Sequence, residues 1–158
     1  MWAFVQSERA YLTFTNFNFL GGLVANQPLA LLFNAKNSGK SAAEIRNISV
    51  TPSLGLTYPL KYDKLLEIAT NPILAGTTEQ QIYEGKNLDG TPFLISGFTV
   101  GEINAGRVKL YVYGFAEYED DFSIVGPRKT YFCVRYLPER SMPNNAAFGG
   151  CPITQRQK

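Results

Sequence analysis

Carboxylates are crowded into one short stretch of the chain, residues 117–121, and their residue types are suited to chemistry. The stretch holds Glu117, Glu119, Asp120 and Asp121. Oxygen ligands of this kind suit Ca²⁺, and Glu117 or Asp121 could serve a carboxylate-dependent hydrolase. The spacing lacks the glycine that an EF-hand loop requires. We therefore expect no metal at Glu119, Asp120 or Asp121, and favour a solvated turn whose carboxylates pair with Arg128 and Lys129.

The chain contains no histidine. Imidazole is the usual general base, and it completes both the Ser-His-Asp triad and the Cys-His pair. Two cysteines alone cannot build a structural zinc site. The run Gly39-Lys40-Ser41 resembles the end of a phosphate-binding loop, but the glycine that should come earlier is absent. We therefore expect a protein that is not an enzyme and that carries no cofactor.

The two cysteines, Cys133 and Cys151, lie in a predicted strand and in a polar C-terminal tail. A disulfide between them would fasten the tail to the sheet and would fit an oxidising compartment. Two reduced cysteines, one of them in the core, are the alternative. We expect the disulfide.

Three tyrosines, Tyr111, Tyr113 and Tyr131, are spaced along two predicted strands, and we expect them to be exposed. Tyrosine is enriched at protein interfaces, so these residues could form a partner-binding patch. The alternative is cross-strand packing that covers the sheet. The packing alternative is favoured, and the three residues stay the first to probe for partner binding.

Composition bounds the class of protein. The 158 residues suffice for one domain, and the charged share of 18% lies below the ordinary quarter, which favours a folded chain. The net charge is only +2, and the lysines and arginines are scattered along the chain, so no nucleic-acid partner is expected. No apolar run is long enough to span a membrane, and the first residues do not resemble a signal peptide. We expect a single domain over residues 1–158, with a lead-in at 1–9 and a tail at 138–158 packed on the sheet.

Alternating apolar residues and turn signals predict an antiparallel, immunoglobulin-like β-sandwich of seven to nine strands. The predicted strands cover residues 11–19, 29–36, 43–51, 77–83 and 93–96, followed by a long hairpin over 107–136. The faces of the first strand swap near Thr15, which suggests a bulge. Thr99 and Glu102 predict a capping box that opens one short helix at about 99–105, and Gly106 closes it. Residues 61–69 fit either a short helix or a loop.

The order of motifs resembles a widespread group of bacterial proteins in which a transmembrane helix precedes an immunoglobulin-like or fibronectin-like β-sandwich. The matching runs are residues 7–11, 37–43, 110–114, 118–120, 130–133 and 151–152. The resemblance implies a domain on the periplasmic side of the inner membrane, tethered by a segment that would precede Met1. No activity is established for the group. The function expected is protein binding or scaffolding, and the alternatives are a structural spacer, an immunity-type protein that blocks a toxin, or a carboxylate-dependent hydrolase.

Overall fold

Two antiparallel sheets form the protein in a computed structural model that describes residues 8–55, 66–67, 72–87, 89–122, 124 and 126–151. The first sheet has the order β1 (Leu12–Phe19), β2 (Ala30–Asn37), β5 (Thr78–Glu84). The second has the order β4 (Leu66–Glu67), β3 (Glu44–Gly55), β6 (Lys109–Glu119), β7 (Arg128–Tyr136), β8 (Phe148–Gly150). The all-β sandwich is confirmed.

The strand order is that of an immunoglobulin-like sandwich. When β1, β2 and β5 are taken as strands A, B and E, strands β3, β6 and β7 take the places of C, F and G. The short β4 beside β3 corresponds to C′, and β8 is an addition outside β7. The chain therefore crosses between the sheets after β2, after β4 and after β5.

Aromatic rings join the two sheets. Phe33 of β2 is fully buried, and its ring centroid lies 5.3 Å from that of Phe14 and 6.0 Å from that of Phe132 on β7. Phe17 stacks on Phe33 at 5.3 Å. Edge-to-face and offset ring pairs at these distances add stability beyond the burial of area. Phe14 and Phe17 of β1, Phe33 of β2 and Phe132 of β7 thus fill part of the core between the layers.

The bulge expected in β1 is present. The register with β2 shifts between Thr15 and Asn18, and Asn16 between them has φ of 56°. Strand β3 runs beyond the predicted end at Thr51 and through Pro52. On the side away from β6, the short strand β4 pairs with Asn47 and Ile48 and does not reach Pro52. A proline without an N–H is tolerated in a strand where the neighbouring strand does not reach.

The helix, α1 (Gly97–Asn104), begins earlier than predicted, and the capping box was wrong. Ser96 is the N-cap, because its hydroxyl accepts a hydrogen bond from the Thr99 N–H. Glu102 instead binds Arg107 at 2.7 Å. The predicted end is confirmed: Gly106, with φ of 79°, donates to the Ile103 carbonyl, and the following N–H donates to Glu102.

Three further expectations have mixed outcomes. Residues 93–96 form no strand, although Ile95 and Phe93 accept backbone hydrogen bonds from the β1–β2 loop. The tail joins the edge of the second sheet as β8 after a 3₁₀ turn, Pro138–Arg140, instead of lying over a face. The interpretation of residues 61–69 falls outside the described residues except for β4. No helix in the described ranges is long and apolar enough to cross a membrane.

Candidate binding surfaces

The disulfide between Cys133 and Cys151 is present. The two residues lie side by side, with Cα atoms 5.5 Å apart, because they continue the β7–β8 register from Val134 and Gly150. The Cys151 N–H also donates to the Cys133 carbonyl at 3.3 Å. The bond therefore links two neighbouring strands and holds the start of the tail against the sheet. A disulfide fits a location outside the cytoplasm.

The three tyrosines do not share one exposed surface. Tyr111 and Tyr113 are each 4% exposed on the outer face of β6, so the expectation that they are exposed was wrong. Tyr131 on β7 is 45% exposed, and its ring centroid lies 5.4 Å from that of Phe115. The packing interpretation describes Tyr111 and Tyr113, whereas only Tyr131 offers substantial area to a partner.

Asp120 is used in the fold and is not presented to solvent. Its side chain has no exposed area, and its carboxylate accepts hydrogen bonds from Arg9 Nε at 3.0 Å, from the Ala10 N–H at 2.9 Å and from the Phe122 N–H at 3.0 Å. Burial raises the pKa of Asp120, but these hydrogen bonds outweigh it and leave the pKa below its ordinary value. The carboxylate anchors the N-terminal lead-in to the hairpin loop.

The neighbouring glutamates are also paired. Glu117 accepts a hydrogen bond from Asn47 at 3.1 Å and lies 3.7 Å from Lys129 Nζ, so the expected pairing with Lys129 is confirmed. Glu119 accepts from Arg46 at 3.1 Å. Arg128, which was expected to pair with these carboxylates, lies over the Tyr11 ring at 5.7 Å.

An open pocket adjoins this acidic stretch. Its lining includes Glu44, Arg46, Glu119 and the exposed Asp121. Within the described residues, no group of three or more histidine, cysteine or acidic side chains is placed to hold a metal ion. The pocket combines both signs of charge, and Arg46 contacts Glu44 at 3.1 Å as well as Glu119. Arg46 thus compensates part of the charge of Glu44 and Glu119, and this pairing gives no reason to favour a cation.

Exposed apolar side chains gather at one end of the sandwich, and the sequence interpretation missed them. The β1–β2 loop carries Leu20 and Val24, which are 52% and 44% exposed and line one small depression. The segment before and within α1 carries Leu94 and Phe98, which are 54% and 79% exposed. We call these four residues the apolar end patch.

Backbone contacts bring the two segments of the apolar end patch together. The Asn26 N–H donates to the Ile95 carbonyl at 2.8 Å, and the Leu29 N–H donates to the Phe93 carbonyl at 3.2 Å. Gly97 lies beside Ala25, because an added Cβ would be in ordinary van der Waals contact with the alanine Cβ, at 3.8 Å. Exposed apolar clusters of this kind mark interaction sites. The only signal in the sequence was large apolar residues inside turn-rich segments.

Comparisons with protein families, with characterised proteins and with solved structures find no match to this chain.

Proposed function

We propose that this protein is a non-enzymatic protein-binding module of the bacterial cell envelope and that the apolar end patch is its binding surface. The observation that carries the proposal is the exposure of Phe98, at 79%, next to a segment that is hydrogen-bonded through its backbone to the loop carrying Leu20 and Val24. Large apolar side chains left in water cost free energy that a protein partner recovers on binding. Immunoglobulin-like sandwiches commonly present such loops at their ends.

The direction of strand β1 places the apolar end patch far from the N-terminal lead-in. Strand β1 starts at Leu12 beside the lead-in, where Arg9 is held by Asp120, and it ends at Phe19 beside the β1–β2 loop. The lead-in and the apolar end patch therefore lie at opposite ends of the sandwich, separated by about 25 Å of strand. A tether preceding the lead-in would leave the patch directed away from the membrane.

The proposed location rests on two supports. The disulfide fits an exported domain, and the motifs resemble tethered periplasmic proteins. The proposed partner is a protein of the same compartment, with no nucleic acid involved. Alkylation of thiols in protein isolated from its native envelope tests the location: no free cysteine is expected, whereas two labelled thiols would contradict it.

The partner is tested by affinity capture from the native envelope with the full chain as bait. Phe98→Ser and Val24→Ser are expected to lose an enriched partner while the melting temperature stays unchanged. Leu74→Ser is the matched control, because Leu74 is 61% exposed but lies at the lead-in end, near Asn37. Equal capture by all variants would contradict the apolar end patch.

Tyr131→Ser tests the remaining part of the tyrosine patch. Tyr111 and Tyr113 are unsuitable for this comparison, because serine at a buried position would remove packing and destabilise the sheet. Loss of capture with Tyr131→Ser alone would move the binding surface to the outer face of β7.

The same experiment separates the alternatives. A structural spacer predicts no enrichment over an unrelated sandwich domain, and an immunity-type protein predicts a toxin as the captured partner. A carboxylate-dependent hydrolase would need Glu117 or Asp121, so alanine at both positions would abolish any hydrolytic activity. Glu117 already binds Asn47 and Lys129, which supports a structural role for it.

A further inference from the structure

Strand β5 forms an open edge of the first sheet. It pairs with β2 without interruption, from Ala30 opposite Glu84 to Lys36 opposite Thr78. Among the described residues, no strand pairs with its other side. Its sequence, TEQQIYE, contains no proline or lysine, two residues that commonly protect edge strands from pairing.

The direction of the backbone groups along β5 follows from the hydrogen bonds at its two ends. The Gly85 N–H donates to Leu29 at 2.7 Å, and Thr77 accepts from the Asn37 N–H at 3.0 Å. Hydrogen-bonded pairs alternate along an antiparallel ladder. Odd-numbered residues of β5 therefore bond to β2, whereas Thr78, Gln80, Ile82 and Glu84 direct their N–H and C=O groups away from the sheet.

The other described sheet edges are protected. Strand β1 is bulged at Asn16, and its outward groups at Leu12 are occupied: the N–H donates to Tyr118 Oη at 3.2 Å and the carbonyl accepts from Thr130 at 2.8 Å. Strands β4 and β8 contain only two and three residues. Among the strands that the structure describes, β5 is thus the long, regular edge whose outward groups have no strand paired to them.

We propose that β5 pairs antiparallel with β5 of a second copy of this chain, centred on Gln81, so that the two first sheets become one continuous sheet. In this antiparallel register, neither Glu79 nor Glu84 lies directly opposite a residue of the same charge. Glu79 comes to lie opposite Tyr83 of the partner subunit, and Glu84 opposite Thr78 of the partner subunit. A parallel pair in the same register would set each glutamate against its own copy, which is unfavourable.

Burial of Ile82 supports the same register. Its side chain is 54% exposed on the outer face, next to Leu32 of β2. In the proposed pair, Ile82 lies opposite Gln80 of the partner subunit and diagonal to Ile82 of the partner subunit. Diagonal neighbours in a ladder are about 7–8 Å apart, within reach of long side chains. An apolar strip would then run across the dimer interface from Leu32 of one subunit to Leu32 of the partner subunit. The apolar end patch plays no part in this interface.

Sedimentation equilibrium of the full chain over a range of concentrations tests the proposal. A monomer–dimer equilibrium is expected. Gln80→Pro removes an outward N–H and leaves the bonds to β2 in place, so its dimer dissociation constant should rise by about tenfold or more. Ile82→Lys should have the same effect, and mixing it with Ile82→Glu should restore a heterodimer. Leu94→Lys is the control of equal exposure, with no effect on dimerisation expected.

Amide hydrogen exchange supplies a second measurement. In the dimer, exchange should slow at Gln80 and Ile82, while Glu79, Gln81 and Tyr83, already bonded to β2, should change little. A monomer at every concentration would overturn the proposal. A dimer whose dissociation constant is unchanged by Gln80→Pro and by Ile82→Lys would also overturn it. Capture of a partner through the apolar end patch is independent of either result.

Discussion

At the scale of single residues, Asp120 shows how one carboxylate can decide local structure. Its neighbours Glu119 and Asp121 are at least partly exposed, but Asp120 is enclosed and satisfied by hydrogen bonds from Arg9, Ala10 and Phe122. Removing one member of a buried pair leaves the other charge buried without compensation. The side chain of Arg9 is itself only 4% exposed. The pair therefore fixes the start of β1 against the β6–β7 loop.

Asp120→Ala should lower the free energy of unfolding by about 3 kcal/mol at neutral pH. Because the pKa of Asp120 is lowered in the folded state, its ionised form stabilises the protein above the unfolded pKa. That contribution is lost as the pH falls from the unfolded pKa through the lower folded pKa, so the difference in stability between wild type and variant should begin to shrink at about pH 4 and continue to shrink at lower pH. Urea unfolding at a series of pH values measures this. Asp121→Ala is the exposed control, and equal pH dependence in wild type and Asp120→Ala would contradict the assignment.

At the scale of elements, two glycines have opposite roles. Gly114 lies in the middle of β6, where an added Cβ would sit 1.7 Å from the Ser49 carbonyl oxygen of β3. A backbone atom of a neighbouring strand cannot move aside as a flexible side chain can. Gly101 lies in α1 with no atom within 4 Å of an added Cβ. The first glycine permits close approach of two strands, and the second only loosens a helix.

Gly114→Ala should lower the free energy of unfolding by about 3 kcal/mol or more, because β3 and β6 must separate. Gly101→Ala should raise it by roughly 0.5–1 kcal/mol, because alanine reduces the conformational freedom of the unfolded chain and favours the helix. Denaturant unfolding of the two variants beside wild type measures both. Destabilisation by Gly101→Ala, or tolerance of Gly114→Ala, would show that the strand and helix contacts are wrongly described.

At the scale of the whole molecule, the tail is integrated with both sheets. Leu137 and Ala147 bond through their backbones at 2.8 Å, and the Asn18 side chain of β1 accepts from the Ala146 N–H at 2.9 Å. The ring of Phe148 lies 5.0 Å from that of Phe19. The disulfide follows directly after β8. The tail up to Cys151 is therefore part of the folded structure, held by packing and by a covalent bond.

Replacing Cys133 and Cys151 together with serine should lower the free energy of unfolding by about 3 kcal/mol, since the bond closes a loop with a sequence separation of 18. Chemical reduction of the wild-type protein should produce a similar loss. Guanidinium unfolding monitored by fluorescence measures both. If reduction leaves the unfolding midpoint unchanged while the double variant is destabilised, the effect belongs to the serine side chains and not to the disulfide.

The sequence by itself determined the strands that alternate strictly or carry strong turn signals. Strands β1, β2, β5, β6 and β7 were predicted within a few residues, and so was the bulge near Thr15, because side-chain alternation is a local property of the backbone. The disulfide was also predicted, because one cysteine lies in a strand and the other in a polar tail that a covalent bond would fasten to the sheet. The start of α1 was predicted wrongly. Serine and threonine both suit an N-cap, so the residue types alone could not decide between Thr99 and Ser96, which is the N-cap in the structure.

Only the tertiary structure decided the positions that depend on distant segments. Asp120 is buried because Arg9, 111 residues away in the sequence, folds onto it. Tyr111 and Tyr113 are covered although they alternate away from the core, and Leu20, Val24, Leu94 and Phe98 are exposed although they are apolar. Burial is set by which elements come to lie against one another, and the open edge of β5 is set by strand order. Neither property is encoded in the periodicity of any single segment.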